Sequence, residues 1–209
     1  QLQSSAASDV YKRQPYPFCL ASPLQEEVST LGSADDWQVE WKWDGIRAQF
    51  LSTSGGSGML WSRGEEAIED CFPEILACLP HLPEELCLDG EILSWGHQGL
   101  RSFSRLQKRL GRKNPGPSLV KKEGVRFQVY DLLRIKGEDL RELPMEDRRE
   151  RLERLFEKIP DYLPIGLSPL VKEKSWGKLE ERRKESRKRG VEGFMLKRKD
   201  SRYESGRVK

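Results

Sequence analysis

The sequence is poor in the residues that build metal centres and disulfide frameworks. It contains two histidines and four cysteines among 209 residues. The cysteines match no zinc-ligand spacing and are irregularly placed, at Cys19, Cys71, Cys78 and Cys87. We therefore expect reduced, partly buried thiols, and no metal bound by cysteine and histidine.

Long apolar runs and a strong excess of one charge are also missing. No stretch approaches the roughly 18 apolar residues of a membrane helix, and no signal-peptide pattern is present. Lysine and arginine exceed aspartate and glutamate by 37 to 34, which leaves a net charge of +3. The composition therefore predicts a soluble, intracellular, cytoplasmic protein, in which a basic surface can arise only by local segregation of charge.

The two ends of the chain differ from the rest. Residues 1–14 are polar and show no periodic pattern, so we interpret them as an adapter-like, non-native tail. The chain stops within a stretch rich in glycine, arginine and lysine, with no turn signal to close a domain, which indicates a fragment. Residues 15–209 are long enough to bury one sizeable core.

The most informative stretch runs from Gln38 to Phe50. With the period of a strand, a valine and two tryptophans share one face, while Glu40 and Lys42 share the other. Burying a lysine between acids on an otherwise apolar strand is costly. An Asp-Gly pair then predicts a turn into a second strand that carries Arg47. Such a lysine suits a nucleophile that acts on phosphate; the alternative is a hairpin with a solvated polar face.

Strands and helices are interleaved along the rest of the chain. Further strands are predicted at 59–63, 87–93, 125–133 and 191–198, and helices at 65–79, 102–110, 144–159 and 175–190. Pro73 falls inside the first helix and is expected to split it. The early strands form a meander without helical crossovers. We therefore predict a mixed α/β (α+β) domain with mostly antiparallel sheets packed against helices.

One predicted helix and its exit are strongly basic. The cations are Arg105, Lys108, Arg109, Arg112 and Lys113. A solvated helix face explains any single one of these charges. As a cluster they are candidates for contacts with the phosphate backbone of DNA.

Acids and bases recur on separate predicted strands in the order Glu40, Lys42, Arg47, Arg63, Glu91, Glu192 and Lys197. This order resembles the motif series of covalent nucleotidyltransferases, and most closely that of bacterial-type ATP-dependent DNA ligases. The matching pieces are EWKWDGIR, WSRGEE, LDGEIL, FQVYDLL and EGFMLK. The first piece alone is a weak signal, but five in the right order are specific. The resemblance covers residues 15–209 and implies the nucleotidyltransferase fold shared by DNA ligases and mRNA-capping enzymes.

The resemblance also implies roles for the matching residues. Lys42 would be the nucleophile that takes AMP from ATP as a lysyl phosphoramide. Glu40 would lie by the adenine amine, and Tyr130 would stack on the adenine ring, for which a core aromatic is the alternative. Arg63 and Glu91 would face the ribose.

Three further assignments concern the phosphates and the metal. Arg47 would lie near sugar and phosphate, and Lys197 near the α-phosphate. Glu91 and Glu192 are the expected ligands of Mg²⁺ or Mn²⁺, which would neutralise charge during phosphoryl transfer. A lysine amine attacks only in its neutral form, and desolvation together with the cations Arg47 and Lys197 favours that form.

For the whole protein, the resemblance implies the sealing of nicks in double-stranded DNA. AMP passes from the lysine to the 5′-phosphate of the nick, and the 3′-hydroxyl then displaces it. The expected protein is a monomer of the cytoplasm, at the bacterial nucleoid, without a membrane segment. The family's next motif and its OB-fold domain are absent here, so we expect weak ATP binding, poor self-adenylation and scarcely any sealing.

Two other interpretations stay open. An RNA ligase or an mRNA-capping guanylyltransferase shares the lysyl-nucleotide chemistry and the fold. A catalytically silent nucleic-acid-binding module would use the basic segment from Arg105 to Lys113. It would show salt-dependent DNA binding without a covalent nucleotide intermediate.

Overall fold

The computed structural model describes residues 13–207, so the interpretation of residues 1–14 as a tail falls almost wholly outside the described residues. The strands are Cys19–Leu20 (β1), Trp37–Lys42 (β2), Ile46–Ser52 (β3), Gly58–Ser62 (β4), Cys87–Gly96 (β5), Gly99–Leu100 (β6), Val125–Ile135 (β7), Glu138–Asp139 (β8), Ile165–Leu167 (β9), Gly193–Arg198 (β10) and Gly206–Arg207 (β11). The α-helices are Pro73–Leu76 (α1), Phe103–Leu106 (α2), Pro117–Lys122 (α3), Met145–Phe156 (α4), Trp176–Arg183 (α5) and Ser186–Arg189 (α6). Short 3-10 turns occur at Val28–Leu31, Ala34–Asp36, Glu69–Cys71 and Leu79–His81.

The main sheet has seven strands, in the order β4-β3-β5-β7-β8, with β6 beside β5 and β9 beside β7. Its ladders are antiparallel except that between β7 and β9. One face carries the principal core, in which Phe50, Leu88 and Phe127 are fully buried with Phe72 and Leu152 from the flanking helices. The prediction of a mixed domain with mostly antiparallel sheets is therefore confirmed.

The strand that carries Lys42 belongs to a second, smaller sheet. β2 pairs antiparallel with β10, from Gly193 opposite Lys42 to Arg198 opposite Trp37. The predicted meander of β2, β3 and β4 is therefore wrong at its first step, and so is the hairpin of β2 with β3. Both edges of β3 are already occupied, by β4 and β5. The Asp-Gly turn instead carries the chain from one sheet to the other.

The turn can cross between the sheets because Gly45 has no side chain. A Cβ at this position would lie 2.3 Å from the carbonyl oxygen of Ile92 and 2.8 Å from a side-chain carbon of Leu93, both on β5. These distances leave no room for a larger residue. The glycine of the K-x-D-G piece therefore serves a close approach between backbones.

The outer face of the small sheet is apolar and packs against α5. Val39 and Leu179 are its buried centre, with Phe194, Leu196 and Trp176 packed around them. Alternation along β2 places Glu40 and Lys42 on the opposite face. That face is turned towards the main sheet, since the Glu40 side chain contacts Arg149 of α4.

Three predicted helices take a different form from the expectation, and the one at 102–110 is α-helical only over α2. The segment 65–79 contains only the short α1 between two 3-10 turns, and Pro73 is the first residue of α1. This placement is favourable because a first helical residue needs no amide hydrogen. The segment 175–190 is divided into α5 and α6, and it ends at Gly190 in the left-handed conformation, with a φ of 70°. Ser175 caps α5 by accepting a hydrogen bond from the Lys178 amide.

Several negative findings apply to residues 13–207. The four cysteines have free thiols. No group of three or more histidine, cysteine, aspartate or glutamate side chains is arranged to hold a metal ion within this part of the chain. In the same residues, no helix combines the length and the apolar character that a membrane crossing requires.

Candidate nucleotide site

Lys42 lies at the end of β2, at the open rim of the space between the two sheets. The amide of Glu192 donates a hydrogen bond to the Lys42 carbonyl oxygen (2.8 Å), which anchors the chain just before β10. The side chains also meet, with Lys42 Nζ 2.5 Å from Glu192 Oε2. Both are about half exposed, at 49% and 46%. An ion pair this exposed contributes little to stability, so an incoming phosphate can replace either partner at small cost.

Tyr130 lies at an irregularity in the main sheet, on the face of β7 that is turned to the site. The register of β5 with β7 shifts between Asp89 and Gly90, so that Tyr130 has no residue opposite it on β5. Val129 and Leu132 consequently both pack into the principal core, although two residues separate them. Tyr130 directly follows the core residue Val129, so alternation along the strand places its ring on the opposite face.

Lys197 of β10 occupies the face of the Tyr130 ring. Its Nζ lies 4.4 Å from the ring centroid and forms an ion pair with Glu40 Oε2. Glu40 is 2% exposed and also faces Arg149, whose Nη1 is 3.5 Å from Oε1. The small sheet thus places the buried Glu40 carboxylate beside the ring of Tyr130, and Lys197 covers the face of that ring.

Arg47 of β3 is held by groups from three parts of the chain. Its Nη2 and Nε lie 2.8 and 3.2 Å from the two carboxylate oxygens of Asp89. Nη1 donates to the carbonyl oxygen of Cys19. The guanidinium carbon lies 5.2 Å from the Phe18 ring centroid and 5.9 Å from that of Tyr130. Arg47 is therefore fixed beside the Tyr130 ring.

Glu91 is a partly buried carboxyl group at the base of the site. Burial raises its pKa to about 8, and the neighbouring charges of Asp89 and Glu192 act in the same direction, against the attraction of Arg47. The Tyr130 hydroxyl donates a long hydrogen bond to Glu91 Oε2 (3.5 Å). A carboxyl group that is hard to ionise next to a second acid would gain from a nearby cation.

The implied divalent cation can be tested against these donors. Mg²⁺ is usually held by one or two carboxylates together with substrate phosphates and water. Glu91 and Glu192 are close enough for their charges to interact. Two carboxylates fit that requirement, and a dedicated all-protein cage is not needed.

Arg63 lies at the edge of the site. Its backbone amide donates to the carbonyl oxygen of Arg47 (3.0 Å), so the residue follows β4 directly beside Arg47. Its side chain is exposed. The structure thus brings Arg63 close to the other candidate residues through the backbone.

One member of the basic DNA-backbone cluster is in the interior. The Arg109 side chain is 0% exposed, and it donates to both carboxylate oxygens of Glu74 (2.7 and 2.9 Å). It also donates to the carbonyl oxygens of Cys71 and Glu123 (2.7 and 2.9 Å). The prediction that Arg109 contacts DNA is therefore wrong, because its donors hold the protein interior together.

The other basic residues of this cluster divide into two groups. Arg105 and Lys108 form ion pairs with the buried Glu123, at 2.9 and 3.6 Å. Arg112 and Lys113 are exposed. The last two are the better candidates for a phosphate backbone, since the first two have part of their charge compensated within the protein.

Sequence reasoning did not predict two contacts that organise the site. Asp89 orients Arg47, and Arg149 contacts Glu40. A signal for Arg149 exists in the sequence, since Arg148 and Arg149 both fall at helical spacing from the buried Met145 and Leu152 of α4. Arginines on an apolar stripe indicate buried ion pairs.

Comparison with known proteins identifies the family of this chain. The family model described as "ATP dependent DNA ligase domain" matches residues 19–209. The chain belongs to the ATP-dependent DNA ligase family. The resemblance inferred from the five sequence motifs is therefore confirmed.

Curated relatives are longer than this chain. A probable DNA ligase of Koribacter versatilis is 37% identical over 142 residues, which cover 68% of this chain and 24% of that protein. A probable DNA ligase of Streptomyces coelicolor is 33% identical over 189 residues, covering 90% of this chain and 36% of that protein. The chain thus spans about a quarter to a third of the length of these relatives.

Solved structures agree with the fold. A mycobacterial DNA ligase D, solved in complex with ATP and MES, superposes with a TM-score of 0.71 at 27% identity, covering 95% of this chain and 58% of that chain. A Chlorella virus DNA ligase-adenylate gives a TM-score of 0.66 at 19% identity, covering 93% of this chain and 65% of that chain. These similarities confirm the expected nucleotidyltransferase fold of DNA ligases.

Proposed function

We propose that Lys42 attacks the α-phosphate of ATP and retains AMP as a lysyl phosphoramide, with release of pyrophosphate. The observation that carries this proposal is the position of Lys42, which lies at the solvent-exposed rim beside Glu192. The Lys197–Glu40 pair and the Tyr130 ring line the space behind it. A nucleophile at the rim of a site with a buried base-binding end matches the geometry that nucleotidyl transfer needs.

The base-binding end is formed by Tyr130 and Glu40. The adenine ring stacks on the face of Tyr130, and its exocyclic amine donates to the Glu40 carboxylate. Lys197 lies over that face, so a base that stacks on Tyr130 would displace it. Its flexible side chain then reaches the α-phosphate, where its charge stabilises the transition state.

The ribose and phosphates lie along the main sheet. Arg47 is already oriented by Asp89, Cys19 and Tyr203, which leaves one Nη1 hydrogen for a sugar or phosphate oxygen. Arg63 and Glu91 face the ribose hydroxyls. Because Arg47 is held before the nucleotide arrives, little reorganisation is needed on binding.

Lys42 attacks only as a neutral amine, so its ion pair with Glu192 must open first. The exposed position of the pair makes this exchange easy. Glu91 and Glu192 would hold Mg²⁺ or Mn²⁺, which supplies charge neutralisation on the phosphoryl oxygens. A Glu192 carboxylate that held a cation would no longer be available as the partner of Lys42.

For the complete protein we propose the sealing of nicks in double-stranded DNA by a cytoplasmic monomer. Membership of the ATP-dependent DNA ligase family supports this function, as do the names of the relatives. Arg112 and Lys113 are the proposed contacts with the DNA backbone because they are exposed.

The test is the transfer of radiolabel from [α-³²P]ATP to the chain in the presence of Mg²⁺. We expect AMP on Lys42, identified by mass mapping of the modified peptide so that a small yield suffices. Lys42→Ala should abolish the label, whereas Lys174→Ala, an exposed lysine far from the site in sequence, should not. Label that persists in Lys42→Ala would overturn the assignment.

Two controls separate the other interpretations. GTP used in place of ATP should give little label, whereas a capping enzyme would prefer it. A silent nucleic-acid-binding module would bind DNA with a salt dependence but would take no label from either nucleotide.

A further inference from the structure

Arg149 is a buried arginine that no motif of the sequence points to. It lies on α4, and its side chain is 6% exposed. Nη1 donates to the carbonyl oxygen of Ser168 (2.9 Å), and Nε donates to Glu153 Oε1 (2.8 Å). The same Nη1 is 3.5 Å from Glu40 Oε1. These contacts hold the guanidinium in one place behind the base-binding end of the site.

Glu40 therefore has two cationic partners of different character. Lys197 pairs with Oε2 on the side of the Tyr130 ring. Arg149 faces Oε1 from the opposite element and is fixed by Ser168 and Glu153. When a base stacks on Tyr130, Lys197 has to leave, and Arg149 becomes the cation that stays with the buried carboxylate.

We infer that Arg149 is the positioning residue that holds the Glu40 carboxylate towards the base and thereby makes the site select 6-amino purines over 6-oxo purines. The inference rests on the proposed function, in which Glu40 faces the base. A carboxylate accepts hydrogen bonds, so it binds an amino group and repels a carbonyl oxygen. Without the fixed guanidinium beside Oε1, the carboxylate can rotate away from the base, and the discrimination between the two groups is lost.

The experiment compares the binding of ATP and inosine triphosphate, whose base has a 6-oxo group and an N1–H where adenine has a 6-amino group and an N1 lone pair. Dissociation constants are measured by tryptophan fluorescence and calorimetry, so that no turnover is needed. The wild-type chain should prefer ATP. In Arg149→Met the preference should fall at least about tenfold, because a charge-assisted contact to the base is lost and a repulsion is relieved. Arg149→Lys, which retains the cation, should restore most of it.

Arg148→Met is the matched control. Arg148 is the neighbouring residue on α4 and is also buried, but it pairs with Asp131 (2.9 and 3.1 Å). This variant should lose stability as well, yet keep the ratio of the two dissociation constants. If Arg149→Met does not fold, Arg149→Gln, which can still donate to Ser168, takes its place. Glu40→Gln combined with Arg149→Met should give no further loss of preference.

Different results would overturn the role of Arg149 and the proposed function. If Arg149→Met weakens both nucleotides equally, or if Arg148→Met changes the ratio as much, Arg149 has only a structural role and the inference is wrong. The labelling of Lys42 by ATP would still stand in that case. If wild type takes no label on Lys42, the proposed function itself fails, whatever the nucleotide ratio.

Discussion

Arg47 and Asp89 form a two-pronged ion pair between β3 and β5, with nitrogen–oxygen distances of 2.8 and 3.2 Å. The Asp89 side chain is 0% exposed, and the Tyr203 hydroxyl donates a further hydrogen bond to it (2.6 Å). The pair thus joins the first ligase motif to the third in the interior of the site. Such a pair is expected to matter most when one partner is removed, since the other charge is then left buried.

Asp89→Ala should lower the free energy of unfolding by about 3–5 kcal/mol, because Arg47 would lose its buried counter-ion. Urea unfolding measures this change. The control is Asp139→Ala, whose carboxylate pairs with Arg141 at the surface and is 45% exposed. That substitution should cost at most about 1 kcal/mol. Equal losses of unfolding free energy in the two variants would show that the buried Arg47–Asp89 pair stabilises the fold no more than the exposed pair does.

Glu91 should make the protein less stable as the pH rises. Its pKa is about 8 in the folded chain, because burial disfavours the charge, against about 4.3 when unfolded. Between these values the folded protein keeps a proton that the unfolded chain has released. Stability therefore falls with rising pH, by up to about 1.4 kcal/mol per pH unit from this group.

The measurement is urea unfolding at pH 5, 6.5 and 8 for wild type and for Glu91→Gln. The variant should lose this part of the pH dependence and be the more stable protein at pH 8 relative to wild type. Glu150→Gln, at an exposed position on α4, serves as the control and should follow wild type. A Glu91→Gln curve parallel to wild type would contradict the assignment.

Lys197→Met should affect nucleoside and nucleotide in opposite directions. Removing the cation from the Tyr130 face should tighten adenosine binding by roughly two- to tenfold, since the base no longer displaces it. The labelling of Lys42 by ATP should become slower, because the α-phosphate loses its lysine. Calorimetry and the labelling rate provide the two readouts, with Lys199→Met as the control. Weaker adenosine binding would show that Lys197 does not cover the base site.

The basic cluster should separate into structural and DNA-binding members. Arg109→Met should destabilise the fold by about 3–5 kcal/mol, because it leaves Glu74 and two carbonyl oxygens without their donor. Arg112→Ala and Lys113→Ala should leave stability unchanged and each reduce the salt slope of DNA binding by about one. Fluorescence anisotropy at several salt concentrations measures the slope. A slope unaffected by both changes would exclude these two residues as phosphate contacts.

The errors in the sequence-based prediction share one cause. Periodicity correctly predicted that the strand with Lys42 has an apolar and a polar face, because alternation is a local property of a strand. It could not identify β10 as the partner of β2, because strand pairing depends on contacts between segments far apart in the chain. The Asp-Gly signal favoured a hairpin since it reports only the local turn.

The bulge at Tyr130 and the burial of Arg109 illustrate the same limit. Tyr130 lies in a strand whose composition fits a core aromatic equally well, and the register shift against β5 changes which residues of that strand face the core beyond it. Arg109 lies in the same basic stretch after α2 as its charged neighbours. Its partners, the Glu74 carboxylate and the Glu123 carbonyl oxygen, lie in other parts of the chain. Its burial therefore depends on packing that no local pattern contains.

By itself, the sequence determined the family, the nucleophile candidate Lys42 and the order of acids and bases, because each motif is a short run of residues on one strand. The tertiary structure decided which of them meet. It set Lys197 on the Tyr130 ring, Asp89 on Arg47 and Arg149 behind Glu40. The physical reason is that burial and charge pairing depend on the distances between elements, and these exist only once the two sheets and α4 have packed together.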